Sequence, residues 1–163
     1  MLSKVIAKRV QAAVSSGFTL IELLVVITII GILSTVLLVA TKSSRDKGKD
    51  GTIKQDLHQL RSQAALYFDD YNNFGTGMTT GSCPTTGGAG TMFQSTKMAE
   101  LIADVKKRIG GSQIVTCSTL PTSGTATSWA VSAPLQAQSG QNWCVDSAGK
   151  AGSQGSLPAN GSC

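Results

Sequence analysis

The fold is decided by residues 18–40, which read FTLIELLVVITIIGILSTVLLVA. This stretch contains no Lys, Arg, Asp or Pro, and its one charged side chain is Glu22. As a helix, these 23 residues would span about 34 Å, enough to cross the hydrocarbon core of a bilayer. The sequence therefore predicts a transmembrane helix over residues 18–40.

Positive charge upstream of this span sets its orientation. Lys4, Lys8 and Arg9 lie before Gly17, where no acidic residue occurs. Because Lys and Arg flanking a first membrane helix stay cytoplasmic, we expect everything beyond Ala40 to face outward. Removing these three charges from the net charge of +5 leaves +2, so the basic composition is poor evidence for nucleic-acid binding.

Residues 1–17 differ from an ordinary secretory signal. They are basic, but they lack the apolar core and the Ala-x-Ala cleavage site of a standard signal peptide. Since the apolar stretch follows Gly17, a cut there would keep the membrane helix in the product. We therefore interpret residues 1–17 as a leader that a dedicated cytoplasmic-side peptidase removes.

Helix-favouring residues continue over 41–71. Apolar side chains recur there at three- and four-residue steps, which predicts an amphipathic helix that packs on a head. They are Ile53, Leu57, Leu60, Ala64, Tyr67 or Phe68, and Tyr71. Gly48 and Gly51 each weaken a helix by about 1 kcal/mol relative to Ala, which allows a bend or local melting between the two halves.

Residues 72–163 are expected to form a globular head. Gly, Thr, Asn and Ser dominate residues 72–90, which favours a surface loop. A short helix is predicted over 96–109, because apolar residues share one face there and Gly110 with Gly111 stops it.

Short β-branched or aromatic runs indicate a small antiparallel sheet in the last third of the chain. The predicted strands are residues 113–117, 128–133 and 142–146. One face of such a sheet needs a partner, and the amphipathic helix supplies it. The predicted fold class is α+β, with a long N-terminal helix, half apolar and half amphipathic, packed on a small antiparallel sheet.

The cysteines all lie beyond the predicted membrane span. An even number on the oxidising side of a membrane indicates disulfides, and no pair has the Cys-x-x-Cys spacing of zinc or redox sites. Four cysteines allow three connectivities. We favour Cys83 with Cys117 and Cys144 with Cys163, because each pair closes a loop between neighbouring elements.

Residues 17–26, GFTLIELLVV, resemble residue for residue the processing and methylation signature of type IV prepilins and secretion pseudopilins. The resemblance implies cleavage between Gly17 and Phe18, and N-methylation of Phe18 by the same prepilin peptidase. It also implies that an assembly platform and its ATPase draw the subunit from the inner membrane into a helical homopolymer. The helix, loop, sheet and late cysteines are similar to the pilin fold.

Glu22 gives this resemblance a physical basis. One carboxylate inside an apolar span costs roughly 2.5 to 3.5 kcal/mol on insertion scales and calls for a compensating partner. In the family this acid pairs with the amino terminus of an adjacent subunit, which implies that Glu22 selects the register against a neighbour's Phe18. The alternative is a protonated Glu that the span merely tolerates.

The resemblance favours a structural subunit of an extracellular type IV pilus, used for adhesion, twitching motility or DNA uptake. One alternative is a pseudopilin of a type II secretion system, which would form a periplasmic pseudopilus. Major pseudopilins often bind calcium through a C-terminal acidic loop, whereas no carboxylate side chain follows Asp146 here. The other alternative is a single-span anchored adhesin or binding domain that never polymerises.

No enzyme, cofactor or metal site is predicted. His58 is the only histidine, no Ser lies in a Gly-x-Ser-x-Gly setting, and Asn160-Gly161-Ser162 matches a glycosylation acceptor only by pattern. Asp69 and Asp70, followed by Asn72 and Asn73, could ligate calcium, but such residues at a helix end usually form solvated ends or turns.

Two further groups have a structural interpretation that we prefer. Lys106, Lys107 and Arg108 could contact DNA phosphates, but cations also suit the C-terminus of a helix. The aromatic residues could suggest an electron path, but a helix stripe facing a sheet is usually core. They are Tyr67, Phe68, Tyr71, Phe74, Trp129 and Trp143.

Overall fold

A long helix, α1, covers Leu20–Tyr71 and contributes residues to both units into which the computed structural model divides. The first unit ends at Ala40, and the second covers Thr41–Cys163. The structure describes residues 17–84 and 90–163, so the predicted leader lies outside it except for Gly17. Because no proline interrupts the chain before Pro84, nothing removes a backbone donor within α1.

The second unit joins the amphipathic part of α1 to a sheet and a second helix. The elements after α1 are β1 (Gly81–Ser82), a 3₁₀ helix (Met92–Gln94), α2 (Thr96–Ile109), β2 (Thr116–Leu120), β3 (Ser128–Pro134), β4 (Asn142–Asp146) and β5 (Ala151–Gln154). The strands form one antiparallel sheet in the order β1-β2-β3-β4-β5. The predicted α+β class is therefore confirmed.

The core of this unit is a single apolar cluster between the two helices and one face of the sheet. Helix α1 contributes Ile53, Leu57, Leu60 and Ala64, each at most 1% exposed. The other members are Met92, Phe93, Met98, Ile102, Val105, Ile109, Val115, Trp129, Val131, Ala133 and Val145, with Cys83 and Cys117. The apolar stripe predicted on α1 therefore packs as expected as far as Ala64.

The second face of the sheet is also buried, although it carries small and polar side chains. These are Thr116, Ser118, Ala130, Ser132, Cys144 and Asp146, none more than 1% exposed. The C-terminal segment contacts this face, since the amide of Gly161 donates to Ser118 Oγ at 3.2 Å. A Cβ on Gly161 would lie 2.6 Å from Ser128 Oγ, so the segment sits directly on the strands.

The strand prediction needs three corrections. The first strand begins at Thr116 and ends at Leu120, not at 113–117, because Ile114 is exposed and the buried strand continues through Ser118 and Thr119. The prediction missed the edge strand β1 in the segment assigned to a loop. It also missed β5, whose Ala-Gly-Ser-Gln sequence lacks any β-branched or aromatic residue.

Candidate functional site

The first turn of α1 is closed by a reciprocal pair of side chains. Thr19 precedes the helix, and its Oγ1 accepts a hydrogen bond from the Glu22 amide at 3.3 Å. In return, Glu22 Oε2 accepts from the Thr19 amide at 2.9 Å and from Thr19 Oγ1 at 2.8 Å. This is a capping box, which satisfies backbone donors that the first turn of a helix otherwise leaves unpaired.

The capping box gives Glu22 a partner inside its own chain. The resemblance implied a partner for Glu22 only in a neighbouring subunit, and no role was predicted for Thr19. The signal that could have found Thr19 is the spacing Thr-x-x-Glu immediately before an apolar run. A negative side chain in this turn also complements the positive end of the helix dipole.

The predicted cleavage point is accessible beside this cap. Gly17 and Phe18 precede the helix and are exposed, with Phe18 at 80%. A Cβ on Gly17 would meet no atom within 4 Å. Phe18, Ile21, Glu22, Val25 and Val26 line a shallow recess of about 360 Å³. Gly17, Phe18 and Glu22 therefore lie at one end of one helix.

Helix α1 is long enough, and its N-terminal part is hydrophobic enough, to cross a membrane, as judged by length and composition. Large side chains of this part are exposed: Leu20, Ile21, Leu23, Leu24, Val25, Val26, Ile27, Ile29, Ile30, Ile32, Leu33 and Leu37. An exposed apolar surface of this extent calls for lipid or other helices around it. It fits a membrane-anchored precursor.

Two disulfides hold the second unit. Cys83 joins Cys117, and Cys144 joins Cys163, which is the connectivity favoured from the sequence. The first bond attaches the segment after β1 to β2, and the second attaches the C-terminus to β4. The described part of the chain has no free cysteine.

The buried carboxylate of Asp146 also anchors this C-terminal segment through hydrogen bonds. The side chain is fully buried, and Oδ1 accepts from the Lys150 amide at 2.9 Å. Oδ2 accepts from the Cys163 amide at 3.0 Å and from Ser162 Oγ at 3.4 Å. The carboxylate thus joins the turn after β4 to the last two residues.

The basic cluster at the end of α2 is mostly engaged within the protein. Lys106 Nζ donates to the Cys83 carbonyl at 2.8 Å, and Arg108 Nε donates to Asp56 at 2.9 Å. Lys107 is exposed and makes no ion pair with the residues that the structure describes. The three side chains therefore do not form a free cationic surface for DNA phosphates.

The aromatic residues only partly follow their predicted burial. Trp129 is buried, whereas Phe68 and Tyr71 are exposed, so their assignment to the core is wrong. Both lie in the last turn of α1, where the loop and not the sheet follows. Phe68 packs on Phe74 at 4.9 Å, and Tyr71 packs on Tyr67 at 4.6 Å between ring centroids.

Among the possible calcium ligands, Asn73 forms a local turn. Asn73 Oδ1 accepts from the Gly75 amide at 2.7 Å, which forms a turn after α1. Residues 17–84 and 90–163 contain no group of three or more His, Cys, Asp or Glu side chains arranged to hold a metal. His58 is exposed, and its ring approaches the Trp143 ring edge-on at 6.3 Å.

Comparison with known proteins identifies the N-terminal motif. Residues 13–38 match the family model described as the prokaryotic N-terminal methylation motif. This segment includes the predicted cleavage point, Thr19 and Glu22. No curated protein and no solved structure matches the chain.

The protein therefore carries the signature of type IV pilins and pseudopilins, and its α+β architecture is pilin-like. The motif marks a family of structural subunits. It supports either a type IV pilin or a pseudopilin.

Proposed function

We propose that this protein is the structural subunit of an extracellular type IV pilus. It is made as an inner-membrane prepilin and cleaved between Gly17 and Phe18, where the new amino terminus is methylated. The assembly platform and its ATPase then polymerise it. The observation that carries the proposal is Glu22, the one carboxylate in the apolar segment of residues 18–40, next to the exposed residues Gly17 and Phe18 at the predicted cleavage point.

The geometry of the cap supports exchange of partners during assembly. Glu22 interacts with Thr19 in the isolated subunit, and Thr19 lies one residue after the predicted new amino terminus. A charged amine from a neighbour makes a stronger hydrogen bond with a carboxylate than a hydroxyl does. Glu22 can therefore release Thr19 for the Phe18 amine of another subunit, which selects one axial register.

Features of the C-terminal half support assignment as a pilus subunit over assignment as a secretion pseudopilin. Family pseudopilins often hold calcium in a C-terminal acidic loop. Here Asp146, the last carboxylate side chain, is occupied by the amides of Lys150 and Cys163. A disulfide to Cys163 braces the same segment, as in pilins with an exposed C-terminal loop.

Replacing Glu22 tests the proposal. We expect Glu22→Ala to abolish filaments sheared from the cell surface while the cleaved subunit still accumulates in the membrane. Thr28→Ala is the matched control, because Thr28 is an exposed polar residue of the same span that bonds only its own helix, at Val25 O. Normal filament yield from Glu22→Ala would remove the register role.

Intact-mass analysis of the sheared material supplies the second measurement. The expected chain begins at N-methylated Phe18 and lacks four hydrogens for its two disulfides. Cleaved subunits confined to the periplasm would identify a pseudopilin. An uncut chain in the membrane would contradict both assignments.

A further inference from the structure

The exposed side of α1 carries two cations and two acids in matching positions. Lys47 and Asp69 are 22 residues apart, about six turns, and Arg45 and Asp70 are 25 residues apart, about seven turns. Each cation is therefore in line with one acid along the helix. The separations are about 33 and 38 Å at 1.5 Å per residue.

These four side chains are exposed and make no ion pair with the residues that the structure describes. Several other charges of the second unit are engaged within the protein. Asp46 pairs with Lys49, Asp56 pairs with Arg108, and Glu100 pairs with Lys97. Asp50 is buried and accepts the amides of Gln136 and Ala137 at 2.6 and 3.1 Å.

Asp69 and Asp70 are also unfavourably placed for an isolated helix. They lie in the last turn of α1, which contains no basic residue. The negative end of the helix dipole repels acids there. A local arrangement that costs stability in the subunit alone is expected where a partner compensates for it.

We propose that Asp69 and Asp70 of one subunit bind Lys47 and Arg45 of a second copy. This inference rests on the proposed function, because it needs parallel copies in a filament. One axial displacement of roughly 35 Å brings both acids of one copy level, along the helix axis, with both cations of a copy beside it. The partner is thus another copy displaced along the axis.

This contact is heterologous, because it uses one end of the amphipathic helix on one copy and the opposite end on the next. Each copy then keeps a free pair of acids or cations for a further copy, so the contact propagates without closing. Anionic lipid headgroups next to the membrane could bind Arg45 and Lys47. They would leave the two acids in the last turn without a partner.

Zero-length crosslinking of intact sheared filaments with a carbodiimide provides the direct test. We expect an amide bond between Lys47 Nζ and the carboxyl of Asp69 or Asp70. Within one subunit these residues are about 33 Å apart or more, so such a bond must join two copies. Lys97 and Glu100, 3.4 Å apart in one subunit, supply the internal control for the reaction.

Two sets of variants separate the contact from general effects of charge. Lys47→Arg keeps the charge but cannot form the amide, so it should lose the crosslink and keep the filaments. The double variant Asp69→Lys/Asp70→Lys reverses the acids, and the double variant Arg45→Glu/Lys47→Glu reverses the cations. Each double variant should lower filament yield about fivefold or more, because one exposed ion pair changes an association constant by up to about fivefold. The four changes together should restore the yield.

Asp104→Lys is the control for reversing an exposed acid, since Asp104 lies on α2 and makes no ion pair with a described residue. Filaments that show the Lys97–Glu100 link but no link from Lys47 would overturn this inference alone. A loss caused only by the cation reversal, and not rescued by the acid reversal, would overturn it in favour of lipid phosphates. If the wild type forms no filaments, the proposed function falls and this inference with it.

Discussion

Replacing Asp146 by Ala should lower the free energy of unfolding of the head more than replacing an exposed acid does, because it loosens the C-terminal segment. The substitution leaves the amides of Lys150 and Cys163 without their acceptor. Each partly buried donor left unpaired costs about 1–3 kcal/mol, and removal of a buried carboxylate returns part of that by relieving its desolvation. We expect a net loss of about 2–4 kcal/mol in the free energy of unfolding.

The measurement is urea denaturation of a fragment covering residues 41–163, the compact second unit, with both disulfides intact. Amide hydrogen exchange locates the effect, because Lys150 and Cys163 should exchange faster while Val131, in the middle of the sheet, changes least. Asp104→Ala is the control and should change stability by less than about 0.5 kcal/mol. A loss below about 1 kcal/mol from Asp146→Ala, with unchanged exchange at Cys163, would refute the role assigned to this carboxylate.

Two other predictions concern close packing and ionisation. Gly161→Ala should destabilise the protein by about 1–3 kcal/mol more than Gly124→Ala. Both glycines have positive φ, but of the two only Gly161 would bring its new Cβ into a clash with Ser128. Equal losses of stability would mean that the C-terminal segment does not pack on β3. Burial, and then the neighbouring phenol of Tyr71, raise the pKa of Tyr67 above its ordinary value of 10.0, so the neutral form is the one that favours folding. The stability it contributes is therefore complete below pH 10.0 and is lost as the pH rises through the folded-state pKa. Absorbance titration of the two tyrosines should show a late component that Tyr67→Phe removes, and an unchanged late component would contradict this.

Sequence patterns predicted the elements whose side chains face a single apolar core. The stripe from Ile53 to Ala64 on α1 and the apolar face of α2 repeat at helical spacing, and both are buried as that spacing implies. Strand β4 matches its predicted range of 142–146, since Trp143, Cys144 and Val145 give it a strong β signal.

The missed features depend on contacts between residues that are distant in sequence. Ser118 and Thr119 are buried because α1 covers one face of the sheet and the tail covers the other, so strand β2 shows no alternation of apolar and polar residues. Strand β5 forms because β4 offers it an edge, not because Ala, Gly, Ser and Gln favour strands. Phe68 and Tyr71 continue the apolar pattern past the point where the sheet covers the helix.

The candidate site residues were predicted from one short motif. Gly17, Phe18 and Glu22 follow from ten consecutive residues. The role of Thr19 was not predicted, although the Thr-x-x-Glu capping signal is equally local. The alignment of Lys47 with Asp69 needed the helix to be continuous through Gly48 and Gly51, which composition alone left open.

The capping box at Thr19 gives Glu22 a partner outside the proposed filament as well as inside it. In that proposal, a subunit that leaves the filament would give up the amine of its neighbour, and its carboxylate would return to the Thr19 hydroxyl and amide within the same turn. Under the proposal the acid therefore has a partner in both states, the neighbour's amine in the filament and Thr19 in the single subunit. In the proposed polymerisation Glu22 can therefore exchange one partner for another without leaving an unpaired charge in lipid.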